Sequence, residues 1–389
     1  MIESADVVVV GAGIHGASTA FHLARRGAKV AVLEARAAAS GATGRSSGLV
    51  RMHYDLAAES ALAWRSYDYF ANWAERVGHG DCAFVRTGFL RIVPHDKEDA
   101  LRANVADQLA LGIDTRLITA AEAADIAPPL ATDDFDIAAF EPQSGYADPT
   151  GACTGFLAGA RAHGAAYAQG RPVEAIEVDG SRVTGIRTTG GRIATPLVVL
   201  AAGAWSGRLA ASAGVEIEVR AWHHDTGYVT RPVGVGATLP TVIDDINECY
   251  FRPEGSGLAL VGLEDGNRID DRPDDDSPSD PAFIDHLVDR ICRRVPAFVS
   301  AGYQGSHGGT DGISPDQRPI LGRTDVDGLI LQCGFSGTGF KIAPAVGLAI
   351  SELVLDGAAR SVDISIFDAG RFVAGRPLRG DHPYEALWR

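Results

Sequence analysis

The hydrophobic pattern changes period several times along the chain. Asp6 to Val10 is a short, β-branched apolar run of the kind that forms a strand buried on both faces. From Ala17 to Arg26 the period becomes helical, with Ala20, Leu23 and Ala24 on one face and Gly27 as the stop. Lys29 to Leu33 is a strand again. Residues 56–77 read as a helix, 84–94 as a strand, 98–111 as a helix, and 118–130 as a short helix ended by Pro128 and Pro129. Turn chemistry at Gly145–Thr150 leads into a helix over 151–163. Residues 172–205 then read as hairpin strands separated by DGS and TGG turns, closing in a buried strand at 197–200. Two half-buried strand regions follow, "EIEVRAWHHDTGYVTRP" and "NECYFRPEGSGLALVGLE". The acidic segment 270–280 reads as a solvated loop, and the apolar stretch ending at Leu355 as a helix.

Composition narrows the class. With 389 residues, 46% of them hydrophobic and 22% charged, the chain has enough apolar material for two domains and no disordered character. A formal charge of −15 opposes binding to a phosphate backbone, so no nucleic-acid partner is expected. The five cysteines have no CxxC spacing, which fits neither a disulfide framework nor a zinc site; free thiols in a reducing compartment and no metal are expected. Apolar runs are too short to span a bilayer, and no leader-like segment precedes the first strand. The expectation is a cytoplasmic protein without a membrane partner.

Gly11, Gly13 and Gly16 stand in GxGxxG spacing between the first strand and the first helix, and Glu34 ends the second strand. Gly11 permits the tight turn, Gly13 the close approach of a pyrophosphate, and Gly16 close helix–strand packing. The helix start offers amides and a partial positive charge to phosphates, and an acid at position 34 can accept ribose hydroxyls. Ile14 and His15 lie within the loop, His15 as a spacer. The second strand runs not into another βα unit but into "ASGATGRSSGLVRMHYD", a small-residue loop that can wrap an extended, permanently bound cofactor. FAD fits that better than an exchanging nicotinamide.

These segments resemble the FAD-dependent D-amino-acid oxidase superfamily, and within it the branch of sarcosine oxidases and dimethylglycine dehydrogenases. The likeness is carried by "GAGIHGAS" with Glu34 and Arg36, "GLVRMHY", "VVLAAGAWS", "SPDQRPILG" and "GFSGTGFKIAPAVG". It implies an α/β, overall α+β, architecture: a Rossmann-like FAD domain of glutathione-reductase type over 1–83, 150–217 and 308–389, and a substrate domain built on an antiparallel sheet over 84–149 and 218–307. The cofactor contacts it implies extend from the glycine turn to Thr43, Gly44, Arg45, Ser46 and Ser47. They continue through Val173, Ala202, Gly203 and Trp205 to Gly312, Gly334, Gly337, Thr338, Gly339 and Lys341, with the amides of Gly337 to Gly339 facing the flavin pyrimidine.

The resemblance also assigns the lone charge of the C-terminal glycine motif. Lys341 and Arg51 match the family's pair for the substrate carboxylate, with Tyr54 lining the pocket. The chemistry agrees: a carboxylate entering an apolar cavity needs charge-assisted hydrogen bonds, arginine grips it bidentately and lysine adds a point charge. His224 and Tyr250 are acid–base candidates, and Arg252 is an alternative carboxylate binder. The implied reaction is hydride transfer from the carbon bearing the amine of a small N-methyl, cyclic or D-amino acid to flavin. A 2-hydroxy-acid dehydrogenase and the flavin subunit of a heteromeric amine oxidase are the alternatives. Three departures matter. Gly309 occupies the place of the cysteine that binds flavin in monomeric sarcosine oxidases, so non-covalent FAD is expected. Leu260 falls near the place of an oxygen-activating lysine, which leaves oxygen or another electron acceptor open. Thr338 replaces a histidine.

Overall fold

The computed structural model describes residues 2–264, 268–273 and 281–384. Val7–Val10, Ile14–Arg25 and Val30–Leu33 form a βαβ unit at the centre of a six-stranded sheet. Its order is Ile320–Arg323, Leu329–Cys333, Val198–Leu200, Val7–Val10, Val30–Leu33, Ala166–Ala168. All neighbours are parallel except Ile320–Arg323, which pairs antiparallel with Leu329–Cys333. The four central strands are buried throughout, which explains their apolar character; the one polar residue in them, Gln332, accepts from Thr19 Oγ1 at 2.9 Å. Strands far apart in sequence thus meet in one sheet.

Helix Ile14–Arg25 packs between helices Pro149–Ala162 and Ala343–Leu355. Close packing requires small residues there: a Cβ at Gly347 would lie 2.2 Å from Ser18 Oγ. The first helix begins three residues earlier than the apolar period indicates, because Ile14 and His15 are already helical.

A second sheet has nine strands. Its path runs Arg268–Asp270, Arg220–Thr230, Leu258–Leu263, Cys249–Glu254, Thr241–Asp244, Phe89–Ile92, Ile137–Glu141, Arg116–Thr119, and Tyr303–Ile313 joins on Arg220–Thr230. Pairing is antiparallel apart from Thr241–Asp244 beside Phe89–Ile92. The mixed architecture agrees with the α/β, overall α+β, expectation.

Local differences have physical causes. The helix expected over 56–77 divides into Ala57–Ala71 and Trp73–Arg76 at the non-helical Asn72. The strand expected over 84–94 divides into Val85–Arg86 and Phe89–Ile92 around a turn. Helix Pro281–Arg294 was not expected from the sequence, yet it buries Phe283, Leu287 and Ile291 at four-residue spacing. Most of the acidic loop at 270–280 lies outside the described residues. Among the described residues, no helix is long and apolar enough to cross a membrane.

Candidate active site

Two adjoining cavities lie between the sheets. The larger, about 540 Å³, opens on the glycine turn and the start of the first helix. Gly11 has φ +102°, and a Cβ there would stand 2.4 Å from the Ala201 carbonyl, so only glycine fits. Thr43 Oγ1 accepts the Ile14 amide at 3.0 Å, tying the small-residue loop to the helix start. Glu34 is aimed by two backbone bonds, from Ala12 N at 2.9 Å and Arg36 N at 2.8 Å. The Arg36 guanidinium lies 5.6 Å from the Trp205 ring centre. His15 stacks on Phe335 with centroids 3.5 Å apart, and burial pushes its pKa down to about 3, so it is a neutral wall residue.

Of the positions expected to contact a cofactor, Gly11, Gly13, Ile14, His15, Glu34, Arg36, Thr43, Ser46, Val173, Ala202, Gly203, Trp205, Gly337 and Gly339 line this cavity. Arg45, Ser47, Thr338 and Lys341 line the smaller one instead. Gly16, Gly44, Gly312 and Gly334 line neither. Gly16 acts behind the wall, where a Cβ would meet the Gly11 carbonyl at 2.1 Å. A glycine turn, a helix start, an oriented acid and a long groove fit a dinucleotide carrying a further ring system.

The smaller cavity holds about 80 Å³ and brings together Arg51, Lys341, His224 and Tyr250 from four separate segments. Arg51 and Lys341 are both buried. The Arg51 guanidinium lies 4.5 Å and the Lys341 ammonium 5.6 Å from the centre of the Tyr54 ring. Tyr54 does not line the cavity; it stands behind the two cations and donates from its hydroxyl to the Thr338 carbonyl at 3.1 Å. Burial first, and then the charge of Arg51, hold the Lys341 pKa well below the ordinary lysine range. Burial also lowers Arg51, and the opposing charges include Glu141 and Glu59. Burial raises the Glu141 carboxyl to about 7, while Ser144 Oγ and Met52 N donate to it.

His224 Nε2 and Tyr250 Oη are 2.8 Å apart on the cavity wall. Tyr250 faces Gly262 across the strand pair, and a Cβ at Gly262 would approach the Tyr250 ring to 2.2 Å. The ring therefore lies across a glycine kept bare for it. Burial raises the Tyr250 pKa, so its hydroxyl remains a donor. Arg252, expected as an alternative carboxylate binder, lies outside the lining. Its guanidinium is taken by the Ser47 carbonyl at 2.5 Å, the Pro253 carbonyl at 2.8 Å and Glu254 at 2.5 Å. It secures the loop rather than facing the cavity.

The seam between the cavities is formed by Ala42, Ser46, Thr310, Asp311 and Gly337, which line both. Sequence reasoning missed Asp311 and Thr310. Their only local signal is a polar pair among glycines in "GGTDGI", on a strand that was not placed. Among the described residues no cysteine lines either cavity.

A family model described as "FAD dependent oxidoreductase" matches residues 6–353. The chain is 27% identical over 384 residues to the mitochondrial sarcosine dehydrogenase of Homo sapiens, covering 95% of this chain and 42% of that protein. It therefore spans about two fifths of that relative's length. Glycine oxidase of Geobacillus kaustophilus is 27% identical over 362 residues, with 91% of this chain and 94% of the relative covered. The crystal structure of L-proline dehydrogenase from P. horikoshii superposes with a TM-score of 0.90 at 29% identity, covering 97% of this chain and 100% of that one.

Proposed function

On the premise that the chain belongs to the family of FAD-dependent oxidoreductases, we propose that it oxidises the C–N bond of a small amino acid whose carboxylate is held by Arg51 and Lys341. The carrying observation is two buried cations on the wall of one small cavity that opens directly onto the cofactor groove. Each loses hydration there, and an entering carboxylate restores it through charge-assisted bonds. At 10–15 Å³ per water-sized group, 80 Å³ admits roughly five to eight non-hydrogen atoms. An N-methylglycine or a proline-sized ring is within that range. The printed names of the relatives (sarcosine, glycine, proline) support the same class.

Bound FAD supplies the acceptor for the electron pair leaving the substrate. The chain's own residues fix the geometry. Arg51 and Lys341 anchor the carboxylate, the seam residues set the α-carbon at the groove, and the His224–Tyr250 pair offers a hydrogen-bonded route for a proton at the wall. Apolar Leu260 is fully buried with Phe89, Trp222 and Ile243, and it brings no charge to the pocket. That supports an electron acceptor other than oxygen.

Anaerobic mixing of the holoprotein with a panel of N-methyl, cyclic and D-amino acids and 2-hydroxy acids tests the reading. Bleaching of flavin absorbance by an amino acid, with slow return of colour in air, is expected. Bleaching by 2-hydroxy acids alone contradicts it.

A further inference from the structure

We propose that Asp311 receives the amino end of the substrate, making the pocket bipolar and selective for amines; this rests on the carboxylate-binding reading above. Its position is the first reason. Arg51 and Lys341 line only the smaller cavity, whereas Asp311 lines both. A ligand anchored by its carboxylate on the two cations must turn its α-carbon toward the groove to lose a hydride. Its nitrogen, one bond from that carbon, then lies at the seam, where Asp311 stands.

The second reason is the coordination of the acid. Oδ1 accepts the Gly312 amide at 2.7 Å and Oδ2 accepts the Gly337 amide at 2.6 Å. A carboxylate has about four acceptor sites, so each oxygen retains capacity on the cavity side. Both partners are neutral amides, which orient the acid but leave its charge to be balanced. The cation acting on it from the packed elements is Lys341, whose own charge is reserved in this reading for the substrate carboxylate. Burial pushes the Asp311 pKa up, the mark of an anion short of solvation. A substrate ammonium supplies what the amides do not.

A purely architectural role is the competing account. Asp311 holds the turn containing Ser336 (φ +52°) and Gly337 (φ +78°) through the Gly337 amide. That turn has other ties: Ser336 N donates to the Gly312 carbonyl at 3.0 Å, Ser314 N to Ser336 Oγ at 3.2 Å and Tyr54 Oη to the Thr338 carbonyl at 3.1 Å. A scaffold role requires an acceptor. It does not require a charge.

The experiment uses three isosteric ligands without an α-hydrogen, none of which can be oxidised at that carbon. 2-Aminoisobutyrate carries the ammonium, 2-hydroxyisobutyrate a hydroxyl and pivalate a methyl group. Dissociation constants for the holoprotein are read from perturbation of the flavin absorbance. Wild type is expected to bind 2-aminoisobutyrate about tenfold or more tighter than the other two, the size of a charged hydrogen bond. Asp311→Asn is expected to bring the ratio near one while leaving pivalate affinity within about twofold. Equal binding of all three by wild type overturns the proposal and leaves the carboxylate reading intact, without recourse to a variant. Equal weakening of all three in Asp311→Asn also overturns it, in favour of the scaffold role. Failure of all three to perturb wild-type flavin contradicts the carboxylate reading and the proposal with it.

Discussion

Two sets of buried cations in this molecule look alike in composition and differ in circumstance. Arg294, at the end of helix Pro281–Arg294, is fully enclosed by Asp244 (2.6 and 3.1 Å) and Asp134 (2.7 and 3.0 Å). Arg318 is likewise bonded to Asp55 at 2.8 Å and to Glu59. Partner carboxylates raise the pKa of both against the pull of burial. Arg51 and Lys341 are as deeply buried, but their pKa values move down, with burial the largest cause. The first set is closed by the fold. The second lines a cavity, and the carboxylates that act on it, Glu141 and Glu59 on Arg51 and Glu59 and Asp311 on Lys341, do not outweigh burial. Charge burial alone therefore says little about function; the direction in which burial and partners leave the balance says more.

Breaking the closed set should give the largest effect. Arg294→Ala strands Asp244 in the interior and should lower unfolding stability by about 3–5 kcal/mol in a urea titration. Arg51→Ala should cost clearly less, because it removes a charge whose burial the fold only partly offsets. Equal losses would erase the distinction between the two sets.

The open set should titrate with its ligand. Lys341 has a depressed pKa in the folded chain, so between that value and its ordinary 10.5 the unfolded chain binds one more proton than the folded one. Its contribution to stability accordingly rises with pH across that window. A bound carboxylate favours the charged form, so ligand binding within the window should draw a proton from solution. Carboxylate binding in weakly buffered indicator solution should show alkalinisation, and Lys341→Met should abolish it.

A smaller effect is expected where geometry rather than charge is disturbed. Gly262→Ala places a methyl group against the Tyr250 ring and should destabilise by about 1–3 kcal/mol. It should also lower turnover more than it alters apparent substrate affinity, measured by steady-state kinetics. The smallest change belongs to charges that are not buried: removing Arg26, paired with Asp356 at 2.6 Å on the surface, should leave the unfolding midpoint where it was.

The sequence made the cofactor groove legible because that groove is built from backbone. Gly11, Gly13 and Glu34 announce themselves by spacing, and the strands around them by unbroken apolar runs. Arg51 and Lys341 were legible only through a motif resemblance, since nothing in local periodicity brings residues 51 and 341 together. Arg252 and Asp311 show the limit. Whether a side chain on a strand faces the cavity or its own loop depends on which neighbour captures it. For Arg252 that neighbour is the Ser47 carbonyl, which lies 205 positions away in sequence. Helix Pro281–Arg294 buries only Phe283, Leu287 and Ile291 among its apolar side chains, about one per turn, a sparse signal among charged neighbours.

The central claim is that the open cations exist for the substrate carboxylate. Anaerobic flavin reduction by the best amino acid of the panel, titrated in wild type, Arg51→Ala and Lys341→Ala, tests it most directly. The amino-acid concentration that gives half the maximal rate of flavin reduction should be roughly 10- to 100-fold higher in each variant, the loss of one charged hydrogen-bond partner, with flavin content unchanged. Superimposable titrations in all three proteins would contradict the account.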